Sequence, residues 1–140
     1  MNFLSGGDQD SHHSLEVDYL LILPAIFNLH LKNFFLQLTS EPDRRRVLSR
    51  IRELLKPEQR VFIGVIDAIN PRVETPEEVC ERVLEAAEYI PISQLGTTDD
   101  CGFSPFNDDR STAREIAFAK IRARVQGTKL AENKLSNRSK

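Results

Sequence analysis

The sequence predicts an α/β fold built around a parallel sheet. Three observations lead there. Near-continuous apolar runs of strand length recur along the chain, amphipathic helical stretches separate them, and each run is followed by a loop rich in acidic and turn-forming residues. Strands buried on both faces are apolar throughout, and helices between them supply the crossovers that parallel pairing needs. The predicted order is α-β-α-β-α-β-α. At 140 residues and 40% apolar composition, the chain has the size and the core material of one ordinary domain.

Taken in order, Met1 to Ser14 is polar, contains glycine and the adjacent pair His12-His13, and is expected to be a loose lead-in. Leu15–Asn28 has helical composition, with Pro24 expected to kink the helix or to open its second half. Phe34–Leu38 is the first strand-length run. From Pro42 to Leu55 the apolar residues Val47, Leu48, Ile51, Leu54 and Leu55 fall on one helical face. Val61–Ile66 is a β-branched, nearly continuous second strand. Thr75-Pro76-Glu77-Glu78 then places a hydroxyl at the N-cap, proline at the first helical position and a carboxylate three residues on, the pattern of a capping box. Val79, Val83, Ala86, Ala87 and Ile90 make the core face of that helix, and Pro91 is expected to end it. Leu95–Thr98 is a short third strand. A last helix is expected from Ser111 to Val125, with Ala113, Ala117, Ile121 and Val125 as its core stripe, followed by a loose basic tail over 129–140. The folded unit is thus expected to span 15–128.

Three strands leave two arrangements open. They form a small sheet of their own, or they are three consecutive βα units of an eight-stranded TIM (β/α)8 barrel. A net charge of -2 gives no reason to expect nucleic acid or an anionic membrane as partner. No apolar run approaches the roughly 20 residues of a membrane span, and the N-terminus lacks the pattern of a signal peptide. The expected compartment is the cytoplasm.

Chemistry in parallel α/β folds gathers where strands end. Thr39–Asp43, Asp67–Glu74 and Asp99–Phe103 occupy those places, and all three carry acids. Cys101 follows a strand and two carboxylates, with Gly102 to turn the backbone. A thiolate there is a soft ligand suited to zinc, and the plainer alternative is a buried structural cysteine. Asp67, Asp99 and Asp100 are candidates to orient a substrate amine or to support the ligands of a metal, and the plainer alternative for Asp67 and Asp100 is that they bond the backbone of their own turns. Arg44-Arg45-Arg46 is expected to be a solvated face, Cys80 a packing residue, His30 a loop residue, and Phe34, Phe35 and Phe62 strand core.

Several segments together resemble the C-terminal region of cobalamin-independent methionine synthases and their shorter relatives. They are Gly64–Asp67, Asn70–Val79, Leu84–Pro91, Gln94–Gly96, Asp99–Phe103 and Ala117–Ala123, in the family's order and nearly without gaps from about Asp18 to Leu130. The resemblance implies the barrel arrangement, with this chain as its C-terminal βα units and not a complete catalyst alone. It implies S-methyl transfer from a methylated folate to homocysteine or a related thiol, with zinc holding the acceptor sulfur. It places a zinc ligand at Cys101, while the family's upstream acids that hold the amino acid fall outside this chain; Asp67 and Asp100, at the strand ends, are the candidate substrate-binding residues here. The family's Glu ligand falls at Gln37, and its general-acid histidine falls at Ile69. Its His-x-Cys segment has no counterpart here, since the corresponding positions fall at Asn2 and Leu4. The remaining zinc ligands would therefore come from outside this chain, from an N-terminal barrel half. Two other readings are a non-catalytic remnant or assembly module of the same barrel, and an independent small α/β fold with a reactive Cys101.

Overall fold

The computed structural model describes residues 18–103 and 113–139. Their elements are α1 (Tyr19–Phe27), β1 (Asn33–Leu36), α2 (Arg44–Leu54), β2 (Arg60–Ile66), α3 (Pro76–Ala87), a single 3-10 turn (Ile92–Gln94), β3 (Leu95–Asp99) and α4 (Arg114–Arg138). The three strands lie in the order β1-β2-β3 and both pairings are parallel. Phe34 pairs with Val61 and Ile63 with Thr97. The register slips between Gly64 and Ile66, so β2 carries one extra residue there. The α/β fold with a parallel sheet is as expected.

The two faces of the sheet differ. Phe34, Leu36, Val61, Ile63 and Val65 turn toward the helices and are buried with Leu23, Phe27, Leu48, Ile51, Val79 and Val83. On the opposite face Phe35 and Phe62 stack at 4.6 Å between ring centroids and stay half-buried. Of the three phenylalanines expected in the strand core, only Phe34 is in the helix-covered layer. The other two lie on the face that, in a closed barrel, points inward.

Local signals explain most of the helix boundaries. Asp18 caps α1, its carboxylate accepting from the Leu20 N–H at 3.0 Å, and Pro24 sits inside this one helix instead of opening a second. Asp43 caps α2 in the same way through Arg46 N–H. The capping box at Thr75 and Glu78 forms as the sequence requires. The helix it opens stops at Ala87, before Pro91, with Glu88 as its C-cap. Arg44 and Arg45 pair with Glu85 of α3 and with its C-cap Glu88, and Arg46 with Asp18, so the arginine run ties α2 to its neighbours and is not a purely solvated face.

The last helix differs most from expectation. It continues to Arg138, through the stretch expected to be a loose tail. Its buried stripe is Lys120, Ala123, Gly127 and Ala131, while Val125 is 51% exposed and Ala113 lies outside the helix. Small residues decide this face. A Cβ at Gly127 would lie 2.5 Å from the Pro76 carbonyl oxygen, so α4 packs against the start of α3 at a distance only glycine permits. The expected lead-in with His12 and His13, residues 15–17 of the first helix, and Ser111 lie outside the described residues.

Side chains tie the strand ends at the bottom of the sheet. The buried Gln59 amide donates to the carbonyls of Phe27 and Leu31, and Gln94 donates to those of Lys56 and Gln59. These bonds satisfy loop carbonyls that no ladder reaches. The opposite, C-terminal ends of the strands carry the cleft.

Candidate active site

Three strand-end loops meet in one cleft. The β1 loop supplies Gln37 and Ser40, the β2 loop Asp67 and Ile69, and the end of β3 supplies Asp100 and Cys101. Residues up to 64 positions apart in the chain are thus neighbours only because the strands run parallel and end at the same level.

Asp67 opens the β2 loop. One of its carboxylate oxygens accepts from the N–H groups of Ile69 (2.9 Å) and Asn70 (3.2 Å), the local turn bond that the sequence left as an alternative. Asp100 behaves differently. Its carboxylate accepts from the Leu38 N–H at 3.1 Å, from the Thr39 N–H, and from the Thr39 hydroxyl, all on the β1 loop. Burial is the main cause that pushes its carboxyl up to about 6, against the lowering effect of these hydrogen bonds, and the Asp67 charge adds to the rise. Asp99 does not face the cleft. It pairs with Arg124 of α4 at 3.1 Å, and burial raises its carboxyl while Arg124 opposes the rise.

Cys101 is exposed at the rim, and Gly102 beside it has φ +73°, the left-handed turn expected of that glycine. Cys80 is buried in the core against α3's neighbours. His30 sits exposed in the loop between α1 and β1, away from the cleft-lining residues.

A zinc ion needs about four donors, three of them from protein even in an open site. No group of three or more His, Cys, Asp or Glu side chains is gathered to hold a metal among the described residues. Gln37 and Ile69, where the family's glutamate and histidine are expected, do line the cleft but supply neither a charged ligand nor a proton donor. The described residues therefore do not hold zinc by themselves.

One network went unnoticed in the sequence. Lys120 is fully buried, and its ammonium donates to Glu74 (2.8 Å), to the Asp67 carbonyl (2.9 Å) and to the Arg72 carbonyl (2.6 Å). The other Glu74 oxygen accepts from the Asp67 N–H at 2.8 Å. All three ammonium protons have partners, so the desolvated charge is compensated. The network fixes both ends of the loop that brings Asp67 and Ile69 to the cleft. A lysine one residue from a predicted apolar stripe was the available signal, but its burial depends on how α4 is rotated.

Comparison with known proteins bears on this arrangement directly. Residues 9–129 match the family model described as the cobalamin-independent synthase catalytic domain. The methionine synthase of Thermococcus kodakarensis is 34% identical over 82 residues, which are 59% of this chain and 23% of that protein. The methionine synthase of Saccharolobus solfataricus is 33% identical over 89 residues, 61% of this chain and 25% of that one. Among solved structures, a B12-independent methionine synthase from Shewanella sp. W3-18-1, in complex with selenomethionine, superposes with a TM-score of 0.67. It shares 20% identity and covers 81% of this chain and 30% of its own. The chain spans about a quarter of the length of the curated relatives it matches. Its three βα units have the fold of part of that TIM barrel. With a family match over most of its length and the parallel strand order of that fold, the chain belongs to the cobalamin-independent methionine synthase family.

Proposed function

We propose that this chain forms the C-terminal strands of a methionine synthase-type methyltransferase, moving a methyl group from a methylated folate to homocysteine or a related thiol. The observation that carries this is the convergence of Asp67, Asp100 and Cys101 on one cleft at the C-terminal ends of parallel strands, in a chain of this family. Among the described residues Cys101 is the zinc ligand, exposed at the cleft rim. The other ligands come from an N-terminal barrel half, which also closes the sheet over Phe35 and Phe62. When so completed, zinc supplies the Lewis acidity that keeps an acceptor thiol ionised near neutral pH. Asp67 and Asp100 make the acidic wall of the cleft against which an amino-acid substrate is oriented. The expected compartment is the cytoplasm. No helix among the described residues is long and apolar enough to cross a membrane.

The test is the zinc content of the chain alone and after co-expression with the upstream part of the barrel, followed by methyl transfer with and without Cys101→Ser. Zinc is expected only in the combined preparation and is lost with Cys101→Ser. If neither preparation carries zinc and Cys101→Ser leaves methyl transfer unchanged, the proposal is wrong. A second reading, a non-catalytic assembly module of the same barrel, is favoured by Gln37 and Ile69 in the cleft. It predicts a stable complex with the upstream part that carries no transferase activity.

A further inference from the structure

We propose that Asp100 is a positioning residue that locks the ends of all three strands together and so holds Cys101 at the rim of the cleft. Its backbone N–H donates to the Ile66 carbonyl at 2.9 Å, which joins β3 to the end of β2. Its side chain crosses over β2 to reach β1, where it accepts from the N–H groups of Leu38 and Thr39 and from the Thr39 hydroxyl. Those two amides lie beyond Leu36, where the β1–β2 ladder has ended, and the ladder gives them no acceptor.

The crossing has a specific requirement. Gly64 of β2 lies directly beneath the carboxyl, and a Cβ built there would overlap Asp100 Oδ1. Any other residue at position 64 displaces the carboxylate from the amides it accepts from. Gly64 and Asp100 are therefore one device: the glycine opens a slot in the middle strand, and the aspartate reaches through it. Cys101 is the next residue along, so the orientation of its backbone follows from where Asp100 is anchored. The role of Cys101 as a ligand rests on the function proposed above; the anchoring does not.

The test compares full-length wild type with Gly64→Ala, Asp100→Asn and Thr39→Val. Two quantities are read: amide hydrogen exchange at Leu38 and Thr39, and the alkylation rate of Cys101, with buried Cys80 as internal reference. Gly64→Ala is the decisive variant, because it leaves the aspartate, its charge and the cysteine in place. It is expected to speed exchange at Leu38 and Thr39 at least tenfold and to change the Cys101 rate several-fold. Asp100→Asn keeps one neutral acceptor oxygen and is expected to speed exchange at the amides by less than Gly64→Ala, and Thr39→Val to produce a smaller effect still. Thr39→Val keeps the bonds that the Leu38 and Thr39 N–H groups donate to the carboxylate, so it reports even where a larger change fails to fold. If Gly64→Ala folds and leaves both readouts at wild-type values, or if Thr39→Val changes neither, the proposal is overturned. Zinc enters neither measurement, so a chain that never binds zinc still passes or fails this test on its own terms.

Discussion

Replacing Lys120 by methionine removes a fully buried ammonium and leaves its partners in place. Those partners are one carboxylate and two backbone carbonyls: Glu74, Asp67 and Arg72, at 2.6–2.9 Å in the wild type. Methionine matches the length of the stem, so the change creates little cavity, and the effect is electrostatic. Removing one partner of a buried ion pair costs about 3–5 kcal/mol; Arg82, 3.9 Å from the other Glu74 oxygen, compensates part of the charge left behind and places Lys120→Met at the lower end of that range. At the roughly 2 cal/mol/K per residue typical of unfolding entropy, about 3 kcal/mol in a chain of 140 residues corresponds to a fall in Tm on the order of 10 °C. Changing Glu74→Leu in the same background removes the stranded carboxylate. The double variant should then recover most of the loss, short of about 1 kcal/mol for the Asp67 N–H that loses its acceptor. Thermal and urea unfolding of the four proteins of the cycle give the coupling energy, expected at about 2 kcal/mol or more. A Lys120→Met protein that melts within about 3 °C of wild type would show that water reaches the pair. Single losses that simply add would show that the two side chains act separately.

Other expectations follow from the same structure. Gly127→Ala should cost about 1–3 kcal/mol despite the better helix propensity of alanine, because the new methyl group meets the Pro76 carbonyl and Val79; a neutral result in urea unfolding would mean that α4 can shift away from α3. Thr75→Ala should cost about 1 kcal/mol through loss of the capping box, while Thr75→Ser should cost much less. The hydrogen bond from Arg72 is the main cause that holds Glu78 down to about 2. A carboxylate depressed on folding contributes stability that is present above the ordinary glutamate range and fades as pH falls through the folded value. The stability difference between wild type and Glu78→Gln should therefore be constant near neutrality, narrow below about pH 4.5 and close toward pH 2. A difference that does not change across that range would remove the Arg72 pair as its cause.

Much of the fold was legible because it rests on local physics. The Thr75 capping box, the β-branched run of β2 and the Val47–Ile51 stripe are each decided within a few residues, and each formed as expected. The last helix was misplaced for an equally physical reason. Its periodicity is weak, and apolar side chains such as Val125 and Phe118 were available on a face that packing left exposed. The buried face was chosen by the small residues Ala123, Gly127 and Ala131, which let α4 approach α3, and by Lys120, which has a carboxylate waiting for it. None of these is an apolar signal that a sequence pattern would rank highly.

The candidate site divides along the same line. Residue type, the strand ends and the family's motif were sufficient to name Asp67, Asp100 and Cys101 as candidates from the sequence by itself, and the fold brings all three to one cleft. That Asp67 closes its own turn, while Asp100 reaches 61 residues back to Thr39, was decided only by the tertiary structure. Both are aspartates at strand ends, and nothing local distinguishes them. The difference arises because parallel strands end side by side and because Gly64 leaves the space between them open. Local chemistry determined which residues stand at the ends of the strands, and packing determined which of them face one another across the cleft.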